Sequence, residues 1–429
     1  MILLLLAALA GPSEAVADTM PRITLTEALS RSARLDPNYV QALGQVDNAE
    51  WARRAARSAM VLPSLSVATD YSSFSISQFN VGIGAQAKSS ATARLDARFD
   101  LFTGFRKLAD VSRTNADLES ARAGEEQQRF LTALGTEADF YAVLSNRELL
   151  DVSRDRVRRA EEQLVVARAR VVSGAAVQTD SLQLVLELNR AQIALLQDQA
   201  RLRVARLVLG QRVGSPGGVD AVPLDTARAP DLPLTLPEAM SLALEQGPEY
   251  RVARANQRSA EASVKSARSR YFPQAVLSAN TTSFGDRFYP DGLSRSTVTI
   301  SVSFPLWDNA QRELALSRAR TARDLARATR EDLERRAEAD VTEAWEAYQT
   351  ARATADYSSQ GLIVARETFR VQEARYRAGA TTILDLLDAQ AALTQAQAEL
   401  VQARYAARLA LAGLEAILGR RLFSDKDPS

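Results

Sequence analysis

The chain has 429 residues, with 53 Lys and Arg against 52 Asp and Glu, and it contains neither cysteine nor histidine. Thiol nucleophiles, disulfides and a lipid-anchor cysteine are therefore excluded, and the usual general base and commonest metal ligand are missing. The balanced charge gives no reason to expect nucleic acid, while an apolar share of 46% with only 6% aromatics suits Ala-rich helices that approach one another closely.

The N-terminal run from Met1 to Ala10 is short and apolar, and Ala15-Val16-Ala17 offers a small-residue cleavage site. Positions 1–17 read as a signal peptide, too short to span a bilayer, although the usual basic start is missing. A buried N-terminal segment is the alternative. No other stretch is long and apolar enough for a transmembrane helix, so any membrane crossing must use strands.

From here the elements come in two matching series. Leu25-Thr26-Glu27-Ala28-Leu29 reappears as Leu236-Pro237-Glu238-Ala239-Met240. Each opens a short helix after Thr24 or Thr235, with an acid in the first turn where the helix dipole favours it. Pro37 and Pro248 then sit just inside a second helix, where proline is tolerated. Pro63 and Pro273 stop that helix, after Leu62 and Phe272.

Strands follow. Thr92, Arg94, Asp96 and Arg98 alternate with Ala93, Leu95, Ala97 and Phe99, and Thr297, Thr299 and Ser301 alternate with Val298, Ile300 and Val302. A period of two gives one polar and one apolar face. The hairpins are placed at about 64–100 and 274–305. Tyr71, Phe74, Phe102, Phe288, Tyr289 and Trp307 are expected near strand ends, as interface girdles require. The same alternation suits a soluble hairpin packed on a core.

Two proline-free helical stretches come next, from about Phe105 to Ser173 and from about Gln311 to Ala378. At 1.5 Å per residue each would measure roughly 100 Å. Gly174 and Gly379 mark sharp reversals. Return helices are expected from Thr179 to about Leu209 and from Ile383 to about Leu418. Leu387, Ala391, Thr394, Ala398, Val401 and Tyr405 recur in steps of four and three, a coiled-coil seam.

The shared order of these matches points to duplication. The first repeat is placed at 18–214, a Pro- and Gly-rich linker at 215–235, the second repeat at 236–419 and a tail at 420–429. The fold class is therefore mixed α and β, dominated by long helical hairpins. Two hairpins supply four strands, too few to close a membrane barrel. Open edges in lipid leave backbone groups unsatisfied, so membrane-spanning strands would demand oligomerisation.

Ala56-Arg57-Ser58 with Leu62-Pro63, the run Tyr376-Arg-Ala-Gly379-Ala-Thr-Thr-Ile-Leu-Asp385-Leu-Leu-Asp388, and the duplication itself give the chain a resemblance to the TolC family of outer-membrane export ducts. The resemblance covers essentially the whole chain after position 17. It implies a homotrimer with a shared twelve-strand β-barrel in outer-membrane lipid and a helical tunnel reaching into the periplasm. It implies two further partners, an inner-membrane transporter and a periplasmic adaptor, and no cofactor. Asp385 and Asp388 match the family's constriction carboxylates, and Tyr376, Asp180 and Arg404 match members of its gate. Gly174 and Gly379 match the turns where an adaptor docks. Thr381-Thr382 stands where the best-known member has a gating Arg, which removes one closing link.

Each site residue also has a plainer reading. Asp385 and Asp388 suit a solvated helix face, Tyr376 a buried seam, Asp180 a cap for the return helix and Arg404 a snorkelling surface position. A soluble coiled-coil scaffold would explain the helices but not the duplicated hairpins. An enzyme is disfavoured, because no Ser/His/Asp set is possible and no phosphate loop or metal cluster is present.

Overall fold

A computed structural model describes residues 20–80, 82–224, 229–287 and 293–423. The signal peptide expected at 1–17, the aromatics Phe288 and Tyr289 and the end of the tail lie outside them. The elements follow the proline, threonine and glycine punctuation of the sequence. They are β1 (Arg22–Ile23), α1 (Leu25–Leu35), α2 (Pro37–Val61), β2 (Ser64–Asn80), β3 (Ala85–Phe102), α3 (Arg106–Val172) and α4 (Gln178–Arg212). The second series is β4 (Asp220–Ala221), α5 (Leu236–Gln246), α6 (Pro248–Arg268), β5 (Gln274–Gly285), β6 (Ser294–Ser303), α7 (Gln311–Arg377) and α8 (Ile383–Leu418).

α3 and α7 have 67 residues each without a break. Neither contains proline, and Ala, Arg, Glu and Leu carry the helix propensity. Among the described residues no helix is long and apolar enough to cross a membrane. Each long helix is preceded by two consecutive residues with positive φ, Gly104 and Phe105 in the first series and Asn309 and Ala310 in the second. The sharp entry from strand to helix is thus a duplicated feature.

The chain divides into two units. One unit takes the described residues up to Asp36 with Ala133–Ala229 and Thr350–Leu409. Here β1 pairs in parallel with β4, through Arg22 with Asp220 and Ile23 with Ala221. The stretch read as a linker therefore contains a strand. Ile23, Phe140, Leu144, Leu209 and Tyr405 share a buried cluster beside it. Asp220 is buried, and Arg206 at 3.1 Å and Arg147 at 3.5 Å neutralise it. A buried carboxylate without such partners would cost several kcal/mol, on the order of 3–5.

The other unit takes Pro37–Thr132, Pro230–Gln349 and the described residues from Ala410. It holds an antiparallel sheet in the order β2-β3-β5-β6. The register puts Leu65 opposite Ala97, Ala97 opposite Ala279 and Ala279 opposite Val298. That row is apolar across all strands. The adjacent row, Ser66, Asp96, Asn280 and Thr297, is polar. Leu65, Val67, Ile76, Val298, Ile300 and Val302 are all more than 65% exposed, so the apolar face has no core beneath it among the described residues. A soluble hairpin packed on a core does not fit this face; lipid does.

Tyr71 and Phe74 fall in the middle of β2 rather than near its end. The strand runs on for 17 residues to Asn80, beyond the weak alternation visible in the sequence. Phe102 closes β3, and Trp307 lies just beyond β6. Below the sheet, Ala239, Ala243, Tyr250, Val341, Leu414 and Leu418 form a core. Arg258 grips Glu119 with both terminal nitrogens, at 2.8 and 3.0 Å, and Tyr39 donates to Glu125 at 2.6 Å.

Candidate functional site

The candidate site lies within the first of these units, at the turns from α3 to α4 and from α7 to α8. The turns are near copies. Gly174 and Gly379 each have φ +74°, a left-handed conformation that side chains other than glycine adopt reluctantly. The amide of Ala175 donates to the Arg170 carbonyl at 2.8 Å, and that of Gly174 to Val171 at 3.1 Å. In the second turn Ala380 donates to Arg375 at 2.8 Å and Gly379 to Tyr376 at 3.0 Å. This is the Schellman pattern, which satisfies the last carbonyls of a helix. Arg170 and Arg375 each fold a guanidinium over the turn onto the carbonyl of Ala175 or Ala380, both at 3.3 Å.

The copies diverge at the start of the return helix. In the first turn the N-cap is Val177, which has no capping side chain. Asp180 is therefore not the cap; it sits in the first turn of α4, where its amide donates to the Val177 carbonyl at 3.1 Å and its carboxylate makes no hydrogen bond or ion pair among the described residues. In the second turn Thr382 holds the N-cap place. Its hydroxyl accepts from the Asp385 amide at 3.2 Å, and the Thr382 amide donates to the Asp385 carboxylate at 3.1 Å. The Thr382 and Thr381 hydroxyls also donate to that carboxylate, at 2.7 and 2.8 Å. This reciprocal arrangement is a capping box with Asp in the third helical position. The Thr382 hydroxyl, then the Thr381 hydroxyl and the Thr382 amide, hold the Asp385 carboxyl below the ordinary aspartate range. Thr381 is thus a partner of Asp385, where the sequence suggested only a missing link.

Asp388 lies one turn further along α8. Both carboxylates are exposed, and Asp388 has no partner among the described residues. Leu386 and Ala389 beside them are buried with Ile383, Leu184, Phe369 and Tyr376. The two acids therefore share one solvent-facing helix side while their neighbours anchor the opposite one.

Tyr376 is 2% exposed, and its hydroxyl is buried without a hydrogen-bond partner. The Arg170 guanidinium stacks on its ring at 4.7 Å from the centroid and donates to its backbone carbonyl. Burial first, then the Asp180 carboxylate, push the Tyr376 phenol up, against the opposing Arg170 charge. Tyr376 and Asp180 thus sense each other without a hydrogen bond between them.

Arg404 does not join this group. It is 19 positions beyond Asp385 on α8, about 28 Å along the axis. Its guanidinium pairs with Glu148 of α3 at 2.5 Å. The Tyr405 hydroxyl donates to the same carboxylate at 2.6 Å. Glu148, Arg170 and the capping role of Thr382 carried no sequence signal of function. Glu148 is one of many acids on α3 and finds its partners 256 positions away. Among the described residues no cluster of side chains could hold a metal ion.

A family model described as outer membrane efflux protein matches residues 28–215 and 239–420, the two repeats in succession. The pyoverdine export outer membrane protein OpmQ of Pseudomonas putida is 29% identical over 354 residues, covering 79% of this chain and 71% of that protein. The cobalt-zinc-cadmium resistance protein CzcC of Cupriavidus metallidurans is 24% identical over 409 residues, covering 93% and 90%. Among solved structures, CusC superposes with a TM-score of 0.77 at 18% identity, covering 92% of each chain. The outer membrane protein VceC of Vibrio cholerae superposes with a TM-score of 0.75 at 16% identity, covering 93% and 97%.

Proposed function

Because this chain belongs to the outer membrane efflux protein family, we propose that three copies of it join their sheets into one barrel and their helices into one tunnel. The protein is an outer-membrane efflux channel with a periplasmic helical extension, and the family is one of channels, not enzymes. The observation that carries the trimer is the sheet itself. Its four strands leave β2 and β6 as free edges, and its apolar row runs uncovered from Leu65 to Val298. In lipid such edges must be paired by another copy.

In that assembly the second turn forms the gate. Threefold symmetry places Asp385 and Asp388 in two acidic rings, which favour cations and hinder anions. Two features support the reading: both acids are exposed on one side of α8, and the threonine cap keeps Asp385 ionised. Tyr376 and Asp180 brace the approach to the rings, and Arg404 ties α8 to α3 further along. Gly174 and Gly379, with their covering arginines, form the surface for the periplasmic adaptor, which links the duct to an inner-membrane transporter. The test is the mass of the detergent-solubilised particle. A particle of three chains supports the shared barrel; a stable folded monomer that conducts ions alone overturns it.

A further inference from the structure

A groove between α6 and α7 has a lopsided chemistry. Glu261, Lys265 and Arg268 line it from α6, and Arg323, Arg327 and Arg330 from α7. Both sets fall at i, i+4, i+7 spacing, so each occupies one helix face. Five cations and one carboxylate thus surround a space of about 570 Å³.

Nearby acids compensate only part of this charge. Arg323 pairs with Asp324 at 2.6 Å, Arg327 with Glu331 at 2.8 Å and Arg330 with Glu334 at 3.8 Å, all within α7. Glu261 accepts from Gln257 at 2.8 Å and lies close enough to Arg327 to act on its charge. Lys265 and Arg268 have no carboxylate partner among the described residues. Arg330 Nε is buried and faces Glu334 only at 3.8 Å, beyond hydrogen-bond reach.

Both walls of the groove belong to one subunit. α6 leads into β5 and α7 follows β6, and these strands pair with each other. The groove is therefore inside one subunit, whereas the edges that need a partner copy are β2 and β6. Arg268 precedes the first residue of β5 by six positions, so this end of the groove lies close to the roots of the strands.

We propose that the groove binds a phosphate ester, with Lys265 and Arg268 supplying the uncompensated charge and the α7 arginines closing on the oxygens. A phosphate ester matches the site because guanidinium groups engage its oxygens in pairs, and its charge offsets the excess of cations. The headgroup of a phospholipid and a soluble organic phosphate share this chemistry.

Calorimetric titration of the full-length protein in detergent separates the two sources. The probes are glycerol 3-phosphate and short-chain phosphatidylglycerol, at constant ionic strength set with chloride so that plain screening is held fixed. The variants are K265Q/R268Q and, as a control of equal charge loss outside the groove, R335Q/R336Q. Binding of either probe that weakens at least about tenfold in K265Q/R268Q and is retained in the control supports the site. Binding of both probes marks a solute-accessible groove, and binding of the lipid alone marks a headgroup site. No binding of either probe, or equal weakening in both variants, overturns it.

Discussion

The Glu148 carboxylate on α3 accepts a hydrogen bond from the Tyr405 hydroxyl on α8 at 2.6 Å. Its other oxygen takes Arg404 at 2.5 Å, so one acid secures two successive residues of the return helix. Burial first, and then Glu148, push the Tyr405 phenol well above its ordinary value, which keeps it a donor at any physiological pH.

Removing the acceptor should therefore cost more than removing either donor. Glu148→Ala removes the acceptor of the buried Tyr405 hydroxyl and the ion pair to Arg404 together, at about 2–3 kcal/mol. Tyr405→Phe leaves Glu148 with Arg404 and should cost about 1–1.5 kcal/mol. Denaturant titration of the two variants measures the order. Equal or reversed costs would show that Glu148 does not hold both residues.

Tyr376→Phe should behave in the opposite way from Tyr405→Phe. The Tyr376 hydroxyl is buried without a partner, and its removal relieves an unsatisfied group. Thermal unfolding should be unchanged or raised, within about 1 kcal/mol of stabilisation. A clear loss of stability would mean that the hydroxyl has a partner in the assembled protein.

Thr382→Val should convert the second turn into a copy of the first, where Val177 stands at the same place. Loss of an N-cap hydroxyl typically costs about 1 kcal/mol. Hydrogen exchange should speed up in the first turn of α8 and remain unchanged in α4. The contribution of Asp385 depends on its charge. Because its folded pKa is depressed, that contribution is present above the ordinary aspartate range, near pH 4, and is lost as pH falls below it. Asp385→Asn should abolish this acid-side change in exchange; if the change persists in the variant, the cap is not its source.

Alkaline pH should weaken the core that contains Tyr250. Burial first, then the charges of Asp340 and Glu249, raise its phenol from 10.0 to about 12. A raised folded pKa means that the neutral form is favoured by folding. The stability it carries is whole below pH 10 and is lost as pH climbs toward 12. Tyr250→Phe should flatten that part of the stability profile. An unchanged alkaline slope would contradict the assignment.

Most helix ends were legible in the sequence to within a residue or two, but α6 ends at Arg268, four residues before Phe272, and α4 runs three residues past Leu209 to Arg212. Ile383 and Leu418 bound α8 as read, because threonine and glycine mark both ends. The strands were less so: β2 continues past Tyr71 and Phe74, since the alternation changes phase at Ser72-Ser73, where the pairing register slips between Ser73 and Gln78. Asp385 and Asp388 stood out by spacing, yet the partners of Asp385 did not. A hydroxyl three positions away that acts as a cap looks the same in sequence as one that does not. The roles of Glu148 and Arg170 depend on contacts between helices far apart in the chain, which local patterns do not record. Asp180 looked like a cap because an acid beside Thr179 suits that role, but α4 begins at Gln178, one residue earlier than read.

The most direct measurement is single-channel conductance of the purified protein in planar bilayers, for wild type and for D385A/D388A. Paired acidic rings predict discrete cation-preferring openings that a multivalent cation blocks, with the block weakened about tenfold or more in the double variant. Absence of channels, or equal block in both proteins, would contradict the account of Asp385 and Asp388 as the gate of an efflux duct.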